Sequence, residues 1–384
     1  MAAVLAQAGM ASSGELLPLT GFYDTPESFA KAGKPGDLIR SEQFSGYKLA
    51  PGVKSTRILY GTTSSQGALV TSSGVVLVPP GEVPEGGWPV IAWAHGTTGV
   101  HRSCAPSLMP ETFSDYRVPN TYTQMGYAVV ATDYAGSGTD YTLEYMDAIS
   151  SGWDVINSIS AARTALPELG KKWLAVGFSA GGRAMRGVAE LLADIDDPGY
   201  LGVVPLAGPG DARTPMVVLS ETGPWLAIYI AEAVKSRHPE FNPADILTVK
   251  GQNILARTKT GCEGSGLGGR PRWTSLQGSE ALIENWDLNP YINQYFRLEE
   301  LNPATYKGPV LIISGEKEPP LILSNDRQVA LRMCQQDGLK VQYEIIQGAS
   351  HSAVLNASMK LQMAWIDDRF AGREIPSNCG SLPD

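Results

Sequence analysis

What this chain has little of narrows it first. Its 384 residues include only four cysteines and four histidines. Cys104, Cys262, Cys334 and Cys379 lie far apart with no C-x-x-C pair, which disfavours zinc and redox chemistry and leaves no metal site to expect. An even, scattered set fits two disulfides in an exported protein, and it equally fits four buried free thiols. No basic block or basic-aromatic interleaving is present and the net charge is -9, so nucleic acid is not an expected partner. No apolar run reaches the roughly 18 residues of a membrane-spanning helix. Residues 1–11 are apolar and small, and Ala6-Gln7-Ala8 resembles a cleavage site, yet the basic start and the length of a signal peptide are missing. A frayed tail and a curtailed export signal both fit.

What is present is a hydrophobic fraction of 43%, enough to bury a large core, either as one big α/β domain with an insertion or as two domains. Apolar runs at 89–94, 127–132, 173–176, 201–206 and 309–314 have the composition of parallel strands buried on both faces. Helical spacing falls between them at 148–166, 183–193, 325–336 and 353–370. Residues 1–50 read as loop-rich, and strands are expected at 56–60, 68–78 and 340–346, the second broken at Ser72-Ser73-Gly74 as a hairpin would be. Alternating strands and helices predict an α/β fold with a mostly parallel, doubly wound sheet. Residues 211–300 break that rhythm with helix-like stretches and aromatics but no clear buried strand. They read as a helical cap inserted into a core made of residues 1–210 and 301–384. Within them, Gly264 to Gly269 matches G-x-G-x-x-G, but no strand precedes it and no helix follows, so a flexible loop is expected rather than a dinucleotide site.

Gly177-Phe178-Ser179-Ala180-Gly181 is different, because it falls where a buried strand gives way to a helical segment. In that context G-x-S-x-G forms a nucleophile elbow: the serine takes a strained conformation, and bulk two residues to either side would collide as strand and helix converge. The alternative is a glycine-rich turn with a capping serine. A serine hydroxyl needs a base, itself oriented by an acid. His95, His101 and His238 lie in turns and loops upstream, whereas His351 follows the last expected strand and precedes the last helix, where such a base belongs. The acid should follow the strand at 309–314. Glu318 is best placed, with Glu316 and Asp326 as alternatives, the latter expected on a solvated helix face. An oxyanion needs backbone donors. The amide of Ala180 lies at a helix start, and that of Thr97 lies in the turn His95-Gly96-Thr97-Thr98-Gly99, shaped by His95 and Gly96. Trp225 and Tyr229 in the cap, and Tyr134 with Tyr141 and Tyr145 in the core, are candidate pocket walls, although packing alone would explain the cap pair and a tight turn would explain Asp133 to Gly138.

Phe22-Tyr23, Pro35-Gly36-Asp37-Leu38-Ile39-Arg40, Arg57-Ile58-Leu59-Tyr60, the stretch from Gly74 to Pro79, Trp93-Ala94-His95-Gly96-Thr97-Thr98-Gly99, Asp133-Tyr134-Ala135-Gly136 and the Ser179 elbow together resemble the secretory lipase family of lipase A type. The resemblance runs from Phe22 to about Phe370. It implies an α/β-hydrolase with a helical cap, small-molecule or lipid ester substrates, no cofactor, and a secreted or periplasmic location. It also implies Ser179 as nucleophile, His351 as base and Glu318 as acid, a position where the family commonly carries aspartate. Phe178 stands where members often have tyrosine. The family's disulfide pattern implies Cys104 with Cys262 and Cys334 with Cys379. The same constellation would serve an acyltransferase or a serine peptidase, and a scaffold that only binds is the remaining alternative.

Overall fold

The computed structural model of the chain describes residues 16–111, 118–260, 262, 276–298 and 300–382. Residues 1–11 and the glycine-rich stretch at 264–269 lie outside them. Among the described residues nine strands form one sheet: β1 (Leu38–Gln43), β2 (Lys54–Thr63), β3 (Leu69–Val78), β4 (Trp88–Ala94), β5 (Ala128–Thr132), β6 (Leu169–Phe178), β7 (Tyr200–Leu206), β8 (Val310–Gly315) and β9 (Val341–Ile346). Their order is β1-β2-β3-β5-β4-β6-β7-β8-β9. The first three strands and the β3–β5 pair are antiparallel, and every pairing from β5–β4 to β8–β9 is parallel.

The central parallel strands are covered on both faces, which is why β4, β5, β7, β8 and the second half of β6 read as apolar runs. Strand alternation sends Val90, Ala92 and Ala94 to one face, where they pack with the helices Ala148–Ala165, Ala180–Leu191 and Pro320–Cys334. Ile91 and Trp93 go to the other, under Val118–Gln124 and Met359–Phe370. Between β7 and β8 the helices Arg213–Ser220, Trp225–Arg237, Val249–Thr258, Gly278–Ala281 and Pro290–Leu298 build a third apolar cluster, with an isolated bridge between Leu247 and Leu282. Tyr145, Met146 and Ala180, from the rim of the sheet, pack into that cluster.

Several local expectations differ from the structure for identifiable reasons. Ser72-Ser73-Gly74 does not turn; it lies inside the continuous strand β3. The hydroxyl of Ser73 is donated to Asp133 (2.6 Å), and a Cβ at Gly74 would meet the carbonyl oxygen of Ala131 on β5, so the glycine serves close strand approach. The N-terminal fifty residues contain β1, an edge strand only half-covered and therefore weakly patterned. The helix expected at 325–336 begins earlier, with Pro320 at its first position, where a missing N–H costs nothing. The segment 353–370 divides into Val354–Ala357 and Met359–Phe370.

Among the described residues, no helix is long and apolar enough to cross a membrane, and no group of three or more His, Cys, Asp or Glu side chains could hold a metal ion. Cys104 is bonded to Cys262, and Cys334 to Cys379.

Candidate active site

The sheet's register assembles the site at the carboxyl ends of the parallel strands, where open α/β sheets bind ligands. Ser179 follows β6 and precedes the helix Ala180–Leu191, with φ 56° and ψ −115°. That conformation is costly, on the order of 1–3 kcal/mol, and needs its surroundings to hold it. They do so through backbone contacts: a Cβ at Gly177 would overlap the carbonyl oxygen of Gly181, and one at Gly181 would overlap that of Ala94. The amide of Ser179 donates to Leu206 (2.9 Å) on β7. Its side chain, half-exposed, is thereby aimed out of the sheet.

Gly315 on β8 pairs with Ile346 on β9, and the stitching continues past both strands, since Lys317 N–H donates to Ala349 O at 2.9 Å. The two loops are thus locked side by side, and each delivers one group. His351 Nδ1 lies 2.5 Å from Glu318 Oε1, and His351 Nε2 lies 3.0 Å from Ser179 Oγ. The carboxylate side chain is 6% exposed and the imidazole 43%. The carboxyl group is therefore shielded at one ring nitrogen, while the imidazole that links it to Ser179 keeps part of its surface exposed. The Phe178 ring packs 5.1 Å from that of His351 and limits its swing.

The alternative acids go elsewhere. Glu316 is exposed and accepts from Gly348 N–H (2.6 Å). Asp326, expected on a solvated face, is instead buried, accepting from Ser314 Oγ (3.0 Å) and facing Arg186 (3.5 Å) on the serine-bearing helix. Burial pushes its carboxyl up to about 6, against the pull of Arg186.

Register also accounts for the turn after β4. Ala94 pairs with Gly177, so Thr97 and Ala180, three residues further along each chain, come to line one narrow cavity with His95, Tyr134, Tyr145 and Met146. Ala180 opens its helix, so its N–H has no intrahelical acceptor and carries the favourable end of the helix dipole. His95 is buried, with Nδ1 at 2.6 Å from Gly96 O and Nε2 at 3.2 Å from Asp133 O. Burial pushes its imidazole down to about 4, which leaves it neutral at pH 7 and occupied with the turn. His101 caps the 3-10 turn Arg102–Cys104, and His238 ends the helix Trp225–Arg237. The Cys104–Cys262 bond lies against the carbonyl of Thr98, behind the same turn.

Of the pocket-wall candidates, Tyr134 has φ 70° in a tight turn and donates its hydroxyl to His95 O at 2.9 Å. Tyr229 is buried, with Trp225 edge-on to it at 5.5 Å and Tyr145 edge-on at 5.4 Å. Tyr145 in turn is hydrogen-bonded to Thr97 Oγ1 at 2.8 Å, a contact that no spacing in the sequence announces. Under the site, the buried carboxylate of Asp133 accepts from Ser73 Oγ, Ser107 N (2.9 Å) and Ser107 Oγ (2.5 Å), fixing the turn that follows β5.

A mostly parallel sheet covered on both faces, with a strained serine after a central strand, makes this an α/β-hydrolase. Solved structures agree on the fold. Lipase A of Candida antarctica in its closed state matches with a TM-score of 0.76 at 17% identity, over 95% of this chain and 89% of that one. The rice cell wall degrading esterase LipA of Xanthomonas oryzae matches at 0.71 and 18% identity, over 88% and 98%. A putative hydrolase of Legionella pneumophila matches at 0.68 and 19% identity, over 88% and 99%. Among curated proteins no sequence relative is found. The model of the secretory lipase family matches residues 117–378. The chain belongs to that family, and so to the carboxylic-ester hydrolases.

Proposed function

We propose that the chain hydrolyses its ester substrates in two steps through an acyl-enzyme on Ser179. His351 Nε2 takes the serine proton as Oγ attacks the carbonyl carbon. Glu318 holds the opposite N–H and stabilises the imidazolium that forms. The amides of Thr97 and Ala180 receive the negative oxygen of the tetrahedral intermediate. His351 then returns the proton to the departing alcohol, and a water molecule repeats the sequence on the acyl group. The observation that carries this reading is the unbroken line from Ser179 Oγ to His351 to Glu318, at 3.0 and 2.5 Å.

Residues 211–300 act as a cap over a core of residues 1–210 and 301–384, and Trp225, Tyr229 and Tyr134 bound the acyl or alcohol pocket. The packing of Ala180 into the helical cluster between β7 and β8 supports that role. The substrate is a small-molecule or lipid ester. The two disulfides and the family's secretory character support export to an oxidising compartment. The test is turnover of p-nitrophenyl esters by purified protein. Ser179→Ala and His351→Ala should each lose at least about 10³-fold in kcat while keeping their thermal transition. Retained turnover in Ser179→Ala would overturn the assignment.

A further inference from the structure

The segment Glu144 to Asp147 is held more firmly than a loop beside a sheet requires. Met146 sits at φ 68°, a backbone cost on the order of 1–3 kcal/mol. Its carbonyl accepts from Arg183 Nε (2.9 Å) on the serine-bearing helix. Glu144 accepts from the amide (2.9 Å) and hydroxyl (2.7 Å) of Ser65. Asp147 accepts from Ser150 N–H (2.8 Å) and pairs with Arg237, at the end of the helix Trp225–Arg237. The carbonyl of Tyr145 accepts from Tyr295, and its ring is braced edge-on by Tyr229. What all this fixes in place, at the rim of the site, is the Tyr145 hydroxyl on Thr97 Oγ1.

We propose that Tyr145 is a positioning residue that donates its hydroxyl to Thr97 Oγ1, so that the Thr97 O–H proton joins the two backbone amides as a third donor to the oxyanion. A threonine hydroxyl has one proton to give and accepts through its lone pairs, so accepting from Tyr145 orients its own proton instead of consuming it. The phenol is suited to donate, because burial raises its pKa and keeps it protonated. Thr97, Tyr145 and Ala180 line one narrow cavity, which puts Thr97 on the same cavity as the residue whose amide is the second donor. The inference rests on the Ser179 reading above and adds a side-chain donor to it.

The test combines kcat, KM and thermal transition on p-nitrophenyl butyrate with inhibition by an alkyl trifluoromethyl ketone, which forms a tetrahedral oxyanion on the serine. Thr97→Val keeps the backbone amide and loses the hydroxyl, so kcat should fall about 100-fold, the scale of one oxyanion donor. Thr97→Ser should restore most of it. Tyr145→Phe should lower kcat about 10-fold with KM unchanged, and weaken the ketone by the same factor. In the Thr97→Val background, Tyr145→Phe should cost less than about 2-fold, because its route of action is gone. A Thr97→Val enzyme within about 3-fold of the parent, or a Tyr145→Phe cost that persists undiminished in that background, overturns the inference. If Tyr145→Phe does not fold, the Thr97→Val and Thr97→Ser pair decides alone. Ser179→Ala is run alongside: activity surviving there would sink the nucleophile assignment itself, whereas a dead Ser179→Ala with a healthy Thr97→Val sinks only the third donor.

Discussion

Replacing Glu318 by glutamine removes one charge from the site and leaves the shape of the side chain almost intact. Glu318 Oε1 lies 2.5 Å from His351 Nδ1, and the carboxylate is shielded from solvent. In the proposed mechanism, once His351 holds the serine proton the two charge centres stand about 4 Å apart, and at an effective dielectric of about 20 their attraction is about 4 kcal/mol. Losing that from the transition state alone corresponds to roughly a 10³-fold slower turnover. Glutamine can also present its amide N–H₂ to Nδ1 and so hold the wrong tautomer, which brings the expected loss to about 10³–10⁴-fold in kcat. The assay is kcat on p-nitrophenyl butyrate, with a thermal melt to show that the fold persists. Glu318→Asp keeps the charge but retracts it by one methylene, and should fall between parent and glutamine. Glu316→Gln should leave activity unchanged, since Glu316 is exposed and occupied with Gly348. Turnover by Glu318→Gln within about tenfold of the parent would refute the electrostatic reasoning.

Other outcomes concern stability. Burial pushes Asp154 up to about 7 in the folded protein, above its ordinary value of 3.8. The folded state then holds a proton that the unfolded state has released, so this group makes stability fall as pH rises between about 4 and 7. Asp154→Asn should be more stable than the parent at pH 8, by up to about 4 kcal/mol, with the advantage fading toward pH 4. Denaturant midpoints measured across that range check it, and a pH-independent difference would count against it. The Cys334–Cys379 bond closes a separation of 45 residues and ties the end of the helix Pro320–Cys334 to the C-terminal segment. Replacing both cysteines by alanine should cost about 4 kcal/mol in unfolding free energy, on the chain-entropy account, with kcat unchanged at low temperature. An unchanged unfolding midpoint would show that the bond does not constrain the unfolded chain.

Much of the fold was legible because its physics is local. Strand segments covered on both faces must be apolar, and β4, β5, β7, β8 and the second half of β6 show it in composition alone. The elbow was legible for a related reason: two backbones converge at Ser179, and only glycine fits at 177 and 181. The disulfide pairing came from family resemblance, and the structure has the same two bonds. What escaped depends on partners distant in the chain. Ser72-Ser73-Gly74 has turn composition, yet Asp133 satisfies a serine and β5 needs the glycine's missing side chain. Asp326 has the helical position of a surface residue, and its partners Arg186 and Ser314 on neighbouring elements explain its burial. Tyr145 looked like one pocket-wall tyrosine among three, because its contact with Thr97 exists only once the strained turn at Met146 has formed.

The most direct measurement is peptide mapping by mass spectrometry after reaction with an alkyl fluorophosphonate, which transfers its phosphonyl group to an activated serine with loss of fluoride. The account expects the adduct on Ser179, in step with loss of esterase activity, and no labelling of Ser179→Ala. An adduct on another residue that tracks inactivation, or full inactivation with Ser179 unmodified, would contradict it.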